Sequence, residues 1–251
     1  MNKNRAEEYH RELLSLIKAH RTHLSGPDCE KLRRYTGTNK TCYAIRAEVE
    51  KRLVSEWIKE HPNMTSSEFT ELLDHLYRGK STNEISLAGS LLRRLPRLRQ
   101  TISPEHIDTW LNELHGWAEV DSLCQSCFTA EEILRDWKIW KKLLLQFISD
   151  ENVQKKRASL VLLTRAIRDS DNAQLANLAF SNIETLKSNK DVLITKAISW
   201  LLRDLIKHHR KRVEEYLGEN ENTLPRIAVR ETNTKLLTGR KNPRRKGLVE
   251  H

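Results

Sequence analysis

Apolar residues recur every three to four positions along almost the whole chain, and no segment shows the strict alternation of a half-buried strand. The pattern predicts helices over roughly 4–24, 42–60, 66–78, 83–95, 104–127 with a break near Gly116, 129–147, 151–168, 172–187, 191–216 and 222–238. Punctuation between them is helix chemistry. Thr65 with Glu68 reads as a capping box ahead of Phe69, Thr129 with Glu131 and Glu132 as another start, and Ser103-Pro104-Glu105 as N-cap, first-turn proline and acid. Short loops make successive helices antiparallel neighbours, and helix pairs repeat every 35–45 residues or so, the spacing of HEAT or armadillo units. The expected fold is therefore all-α, an α-solenoid of HEAT-like repeats with a concave inner face; a compact helical bundle is the alternative.

Three places depart from simple amphipathic patterning. In Val192–Lys207 the stripe Ile194, Ala197, Ile198, Leu201 and Leu205 defines the buried side, yet Trp200 points to the far side with Lys196, Arg203 and Lys207. An aromatic ring among cations suits a charged, stackable ligand such as nucleic acid, and the face it occupies counts against the alternative of a tryptophan filling an inter-repeat gap. In the second place, Trp117 and Asp121 lie one turn apart at the margin of the stripe formed by Val120, Leu123, Cys124 and Cys127. Taken alone, a core-edge tryptophan beside a solvated aspartate is the plainer reading of this pair. The third is Lys155-Lys156-Arg157, which leads into a helix apolar nearly all round. Arg157, Val161, Thr164 and Arg168 fall on one line of it. An arginine on a buried helix calls for an anion, from a neighbouring carboxylate or from a phosphate.

Charge sharpens this picture. The 251 residues carry a formal net charge of +10, and residues 226–251 hold eight Lys/Arg against two Glu, so most of the excess is C-terminal. An anion site in the body must then be local. The run Arg240-Lys-Asn-Pro-Arg-Arg-Lys246 reads as a flexible basic tail, either adding phosphate affinity or serving only solubility. Cys124 and Cys127 have CxxC spacing without a second such pair and lie on an apolar face, so they read as small core residues and no metal site is expected. Reduced thiols, no apolar signal core at the N-terminus and no membrane-length stretch predict a cytoplasmic protein, nucleoid-associated in a prokaryote. His20, His23, His208 and His209 lack metal-ligand spacing and read as surface groups.

Two tryptophans, one carboxylate and two arginines form a chemical set. Arginines grip phosphates, aromatic faces attract cations, and a carboxylate stabilises an oxocarbenium-like sugar and orients water. Such a set suits cleavage of an N-glycosidic bond to a cationic base. The stretches GWAEVDSLCQSCF at 116–128, KKRASLVLLT at 155–164 and ITKAISWLLRDLIKHH at 194–209 resemble the AlkD-type DNA glycosylases of the DNA-alkylation-repair family, which are built from HEAT-like repeats. Supporting matches begin at Tyr35, Leu72 and Arg226, and the likeness spans roughly residues 30–240. The resemblance implies a cofactor-free enzyme that excises N3-methyladenine and N7-methylguanine from duplex DNA without base flipping. It implies that Asp121 stabilises the cationic deoxyribose and positions water, with Trp117 and Trp200 against sugar and backbone. Arg157 and Arg203 would bind phosphate, and Lys156, Lys196 and Arg168 complete the expected DNA-binding set.

On this reading residues 1–238 form one glycosylase domain and 239–251 the tail, and the protein acts as a monomer on alkylated double-stranded DNA. Two other classes fit the same helices: a non-catalytic repeat module that binds damaged or bent DNA, and a HEAT-type scaffold for a protein partner.

Overall fold

A computed structural model describes residues 3–22, 26–125 and 127–242, and the described chain is all-α, with fourteen helices. It falls into two compact units, the first reaching to Cys127 and the second beginning at Phe128. Extended backbone contributes two isolated bridges among the described residues, Thr22 with Ala44 and Thr41 with Ser81.

The first unit holds α1 (Lys3–Ala19), α2 (Gly26–Thr36), α3 (Ala47–Glu60), α4 (Ser66–Tyr77), α5 (Thr82–Arg94), α6 (Pro96–Arg99), α7 (Glu105–Leu111) and α8 (Gly116–Cys124). α1 packs on α4, and α4 meets α7 where Tyr77 stacks on Trp110 with ring centroids 4.7 Å apart. A second row runs from α3 through α5 to α8, and α4 pairs with α5 across the rows. The core between them is made of Phe69, Leu72, Leu76, Ile85, Leu91 and Leu123, all nearly or fully inaccessible.

In the second unit, α9 (Ala130–Arg135) and α10 (Trp137–Ser149) precede α11 (Val153–Asp169), α12 (Ala173–Leu186), α13 (Val192–Asn220) and α14 (Arg226–Thr238). Again two rows form: α10 lies beside α12, α11 beside α13, and each helix pairs with its sequence neighbour. Burying one face against the neighbour in the row and another against the neighbour across it is what a helical solenoid requires. α11 meets α10, α12 and α13 at once, which explains its apolar circumference.

The predicted caps form at Thr65 and Thr129, each side chain accepting from the backbone three residues on while Glu68 and Glu132 reach back. Ser81 with Glu84 makes a third capping box. Ser103 does not cap α7 with its side chain; the turn before that helix is already helical at Pro104. Other differences have local causes. α2 and the short α6 were not expected, since each carries few apolar positions and so no stripe to read. The segment expected at 129–147 divides at Asp136 (φ −108°, ψ 35°), and α13 runs past 216 with a kink at His209 (φ −127°, ψ 35°). Residues 42–46 are not helical, and Thr22 N–H donates to Ala44 O at 2.6 Å there. α14 ends at Gly239, whose positive φ of 71° stops the helix. His23 and the basic run beyond Asn242 lie outside the described residues. No described helix is long and apolar enough to cross a membrane.

Candidate nucleic-acid interface

In the first unit the site begins with two glycines back to back. Gly37 and Gly116 both have positive φ (76° and 75°), and a Cβ on Gly116 would lie 2.2 Å from the carbonyl oxygen of Thr36. Only a residue without a side chain allows the end of α2 to touch the start of α8 so closely. That contact delivers the next residue, Trp117, to Tyr35: its indole N–H donates to Tyr35 O at 2.8 Å, and the rings meet edge to face at 5.5 Å. Trp117 is half-buried, and Tyr35 is 70% exposed. Nothing in the sequence marks Tyr35 for a role; its exposure and contact with Trp117 emerge only from the fold.

Asp121 follows one turn along α8. It is only 5% exposed, deeper than the margin its spacing suggested, because α8 is flanked by both α2 and α5. Cys124 and Cys127 are buried core residues, as the apolar face predicted. On another face of α8, Glu119 is buried where it accepts hydrogen bonds from the Thr38 hydroxyl and from His115 N–H at 3.0 Å. This carboxylate ties the entry of α8 to the loop after α2. A cavity of about 510 Å³ lies on that face, lined by Leu32, Ile45, Asn83, Ala118, Glu119 and Ser122; neither Trp117 nor Asp121 lines it.

In the second unit the expected residues sit on α11 and α13. Arg157 is 4% exposed, and its guanidinium donates to Leu193 O at 2.6 Å, near the start of α13. The spacing called for an anion there; a backbone carbonyl is one of the partners found. Lys155 is buried and lies 3.3 Å from Asp150, while Lys156 is partly exposed. At the other end of α11, Arg168 lies 3.8 Å from Asp169 and 3.6 Å from Asp204.

The face assignment on α13 holds. Ile194, Ala197, Ile198, Leu201 and Leu205 are inaccessible, Lys196 and Lys207 are exposed, and Trp200 is half-buried between these extremes. What the helix wheel could not give is α14, which packs on the polar side of α13. Arg203 is consequently only 13% exposed; its Nε donates to Ser199 O at 3.0 Å and lies 3.6 Å from Glu231 of α14. Beside it Asp204 is buried, with Arg168 at 3.6 Å and Lys235 at 4.0 Å. Burial pushes the Asp204 carboxyl pKa up, opposed by Arg168, Lys235 and Arg203 and by the nearby Trp200 side chain. Burial likewise pulls Arg203 and Lys235 down, opposed chiefly by Glu231 and by Asp204 respectively. Arg168, Asp204, Lys235, Arg203 and Glu231 thus form one charged cluster, with Trp200 one turn before Asp204; Arg157 is anchored at Leu193, about two turns before Trp200 in α13.

The six tryptophans separate into two groups. Trp57, Trp110 and Trp140 are buried, and the first two donate their indole N–H to Glu12 at 2.9 Å and Asp74 at 2.7 Å. Trp117, Trp137 and Trp200 keep partial exposure. Of these, the sequence singled out Trp117 and Trp200.

These features define an all-helical repeat protein carrying aromatic and cationic side chains on partly open helix faces. The chain belongs to the DNA alkylation repair enzyme family, whose model matches residues 20–236. A solved structure described as a predicted DNA alkylation repair enzyme from Enterococcus faecalis has the same fold, with a TM-score of 0.67 at 20% identity. The alignment covers 86% of this chain and 98% of that one. Comparison with the curated proteins finds no match.

Proposed function

We propose that the protein is a monofunctional DNA glycosylase that hydrolyses the N-glycosidic bond of cationic alkylated purines, N3-methyladenine and N7-methylguanine, in double-stranded DNA. The observation that carries this reading is that each unit keeps a half-buried tryptophan next to charged groups. Trp117 stands one turn from Asp121, and Trp200 stands one turn from Arg203 and Asp204, whereas Trp57, Trp110 and Trp140 are buried. Membership of the DNA alkylation repair enzyme family supports it.

An alkylated purine already carries positive charge and leaves without being protonated, so the reaction asks for one carboxylate and no general acid. Asp121 fills that role, stabilising the oxocarbenium-like sugar and orienting the attacking water. Its burial strengthens the interaction, since a charge in a less polar setting is less screened. The resemblance gives Trp117 and Trp200 the role of holding sugar and backbone by face contacts. Arg203 and Arg157, with Lys156, Lys196 and Arg168, supply the positive side chains that hold phosphate. Part of the selectivity comes from leaving-group chemistry, and the family resemblance adds that the base stays in the stack, without an extrusion pocket. The protein acts as a monomer in the compartment that holds the DNA.

The test is release of methylpurines from methylated duplex DNA by the purified protein, without added metal, beside Asp121→Asn. Release by the wild type and its loss in the variant, with duplex binding retained, is the expected result. Full activity of Asp121→Asn overturns the assignment. Binding without release identifies a non-catalytic DNA-binding module instead. Duplex affinity that is indifferent to salt speaks for a protein scaffold, because phosphate contacts lose affinity steeply as salt rises.

A further inference from the structure

α14 was expected from its apolar period alone, yet it brings charge to one specific place. Glu231 and Lys235, one turn apart on α14, face Arg203 and Asp204, adjacent residues of α13. The signs are crossed so that each pair is opposite: Arg203 Nε lies 3.6 Å from Glu231 Oε2, and Lys235 Nζ lies 4.0 Å from Asp204 Oδ1. Two further contacts lock the register. Ser199 Oγ donates to Glu231 Oε2 at 2.6 Å, and Lys235 Nζ donates to the backbone carbonyl of Arg203 at 2.7 Å. The groups are poorly hydrated, with side-chain exposures of 13% for Arg203, 12% for Glu231 and 8% for Asp204. Asp204 Oδ2 is shut off from solvent with no hydrogen-bond partner, and Arg168 of α11 stands 3.6 Å from it.

A helix that served only to cover α13 would bring apolar residues to it, and α14 does so at Ala228. Drawing Arg203, Glu231 and Asp204 largely out of water beside that contact, with Lys235 28% exposed, is costly unless their positions matter, since a well-packed apolar contact usually stabilises at least as much. What they hold is the segment Trp200–Asp204. We propose that Glu231 and Asp204 are positioning residues for the nucleic-acid face: Glu231 aims the Arg203 guanidinium, and Asp204, held by Lys235 and Arg168, fixes the indole of Trp200 one turn before it on α13. This rests on the reading of Trp200 and Arg203 as groups that meet DNA. It adds that α14 sets their geometry before any ligand arrives.

The experiment has two arms on the full chain. In the first, DNA is absent. The protein is labelled with 5-fluorotryptophan, and Trp200→Phe assigns the Trp200 fluorine signal. Asp204→Asn and Glu231→Gln each keep size and shape while removing charge. Asp204→Asn is expected to move or broaden the Trp200 signal while leaving those of Trp57 and Trp110 in place, which a general loss of structure would not do. An unmoved Trp200 signal overturns the role of Asp204.

The second arm measures single-turnover release of methylpurine and duplex affinity. Removing an acid near DNA by itself tightens association, so affinity alone does not report positioning. Glu231→Gln is expected to slow release roughly tenfold or more through misalignment while binding is undiminished. The effect of Arg203→Ala should shrink in the Glu231→Gln background, because both remove the same aimed group. Fully independent effects of the two substitutions overturn the proposal. If the wild type releases nothing, the test is the non-additivity of Arg203→Ala and Glu231→Gln in duplex affinity, in which the effect of each single charge change cancels; if it does not bind DNA either, the functional reading fails while the fluorine signals still report on the contact.

Discussion

At the scale of single residues, the informative positions are those where burial and charge coincide. Trp200 could be placed from the sequence because Ile194, Ala197, Ile198, Leu201 and Leu205 fix the buried side of α13, and the helical period then fixes everything else on it. Asp204 could not be separated from any solvated aspartate, because what surrounds it comes from α11 and α14. Its charge is costly in the fold. Burial raises its pKa, so between the ordinary carboxylate value near ~3.9 and that raised value the folded state binds more protons than the unfolded one. Stability therefore falls as pH rises through this window. Asp204→Asn removes the cost and is expected to raise Tm at pH 7, the gain shrinking as pH approaches 4. A lower Tm for the variant at pH 7 would mean that Arg168 and Lys235 need the negative charge more than burial opposes it. Arg157 teaches a related lesson: its need for a partner was visible, but backbone carbonyls such as Leu193 O leave no trace in a pattern of side chains.

Among elements, legibility followed the strength of the apolar stripe. α4, α5, α11 and α12 appear within two residues of the positions their periodicity gives, helped by caps at Thr65 and Asn172. α2 was invisible because the eleven residues GPDCEKLRRYT offer Leu32 as their one large aliphatic side chain. Its importance is geometric. Through Gly37 it touches Gly116, and through Tyr35 it holds Trp117. Gly116→Ala must accommodate a Cβ against the backbone at Thr36 and a left-handed φ of 75°, a combined cost on the order of 2 kcal/mol or more. The expected result is a lower denaturation midpoint, together with a change in the environment of Trp117 seen in near-ultraviolet circular dichroism. Unchanged stability would show that the α2–α8 contact is not as close as described. The break expected near Gly116 was thus correct in position, while its partner across space, Gly37, carries no mark that distinguishes it from any loop glycine.

For the molecule as a whole, helix content and repeat spacing pointed to the all-α class, because a chain of amphipathic segments with short loops has few ways to bury its stripes. Which helix lies beside which was not readable: the two-row packing within each unit depends on residues far apart in sequence, such as Tyr77 with Trp110. The partition into units also gives the cysteines a meaning beyond their burial. Cys29, Cys42, Cys124 and Cys127 all lie in the first unit and none is in a disulfide, two of them being partly accessible and two enclosed, and the second unit contains no cysteine. The chain therefore carries its own clock for one half of itself. A thiol reagent should modify two sulfurs promptly and two slowly, and the slow pair reacts only when the packing around α5 and α8 opens. Comparing that rate with global unfolding followed by far-ultraviolet circular dichroism tells whether the halves melt as one. Equal rates mean a single cooperative body, whereas faster thiol exposure means that the half bearing Asp121 breathes while the half bearing Trp200 stays folded.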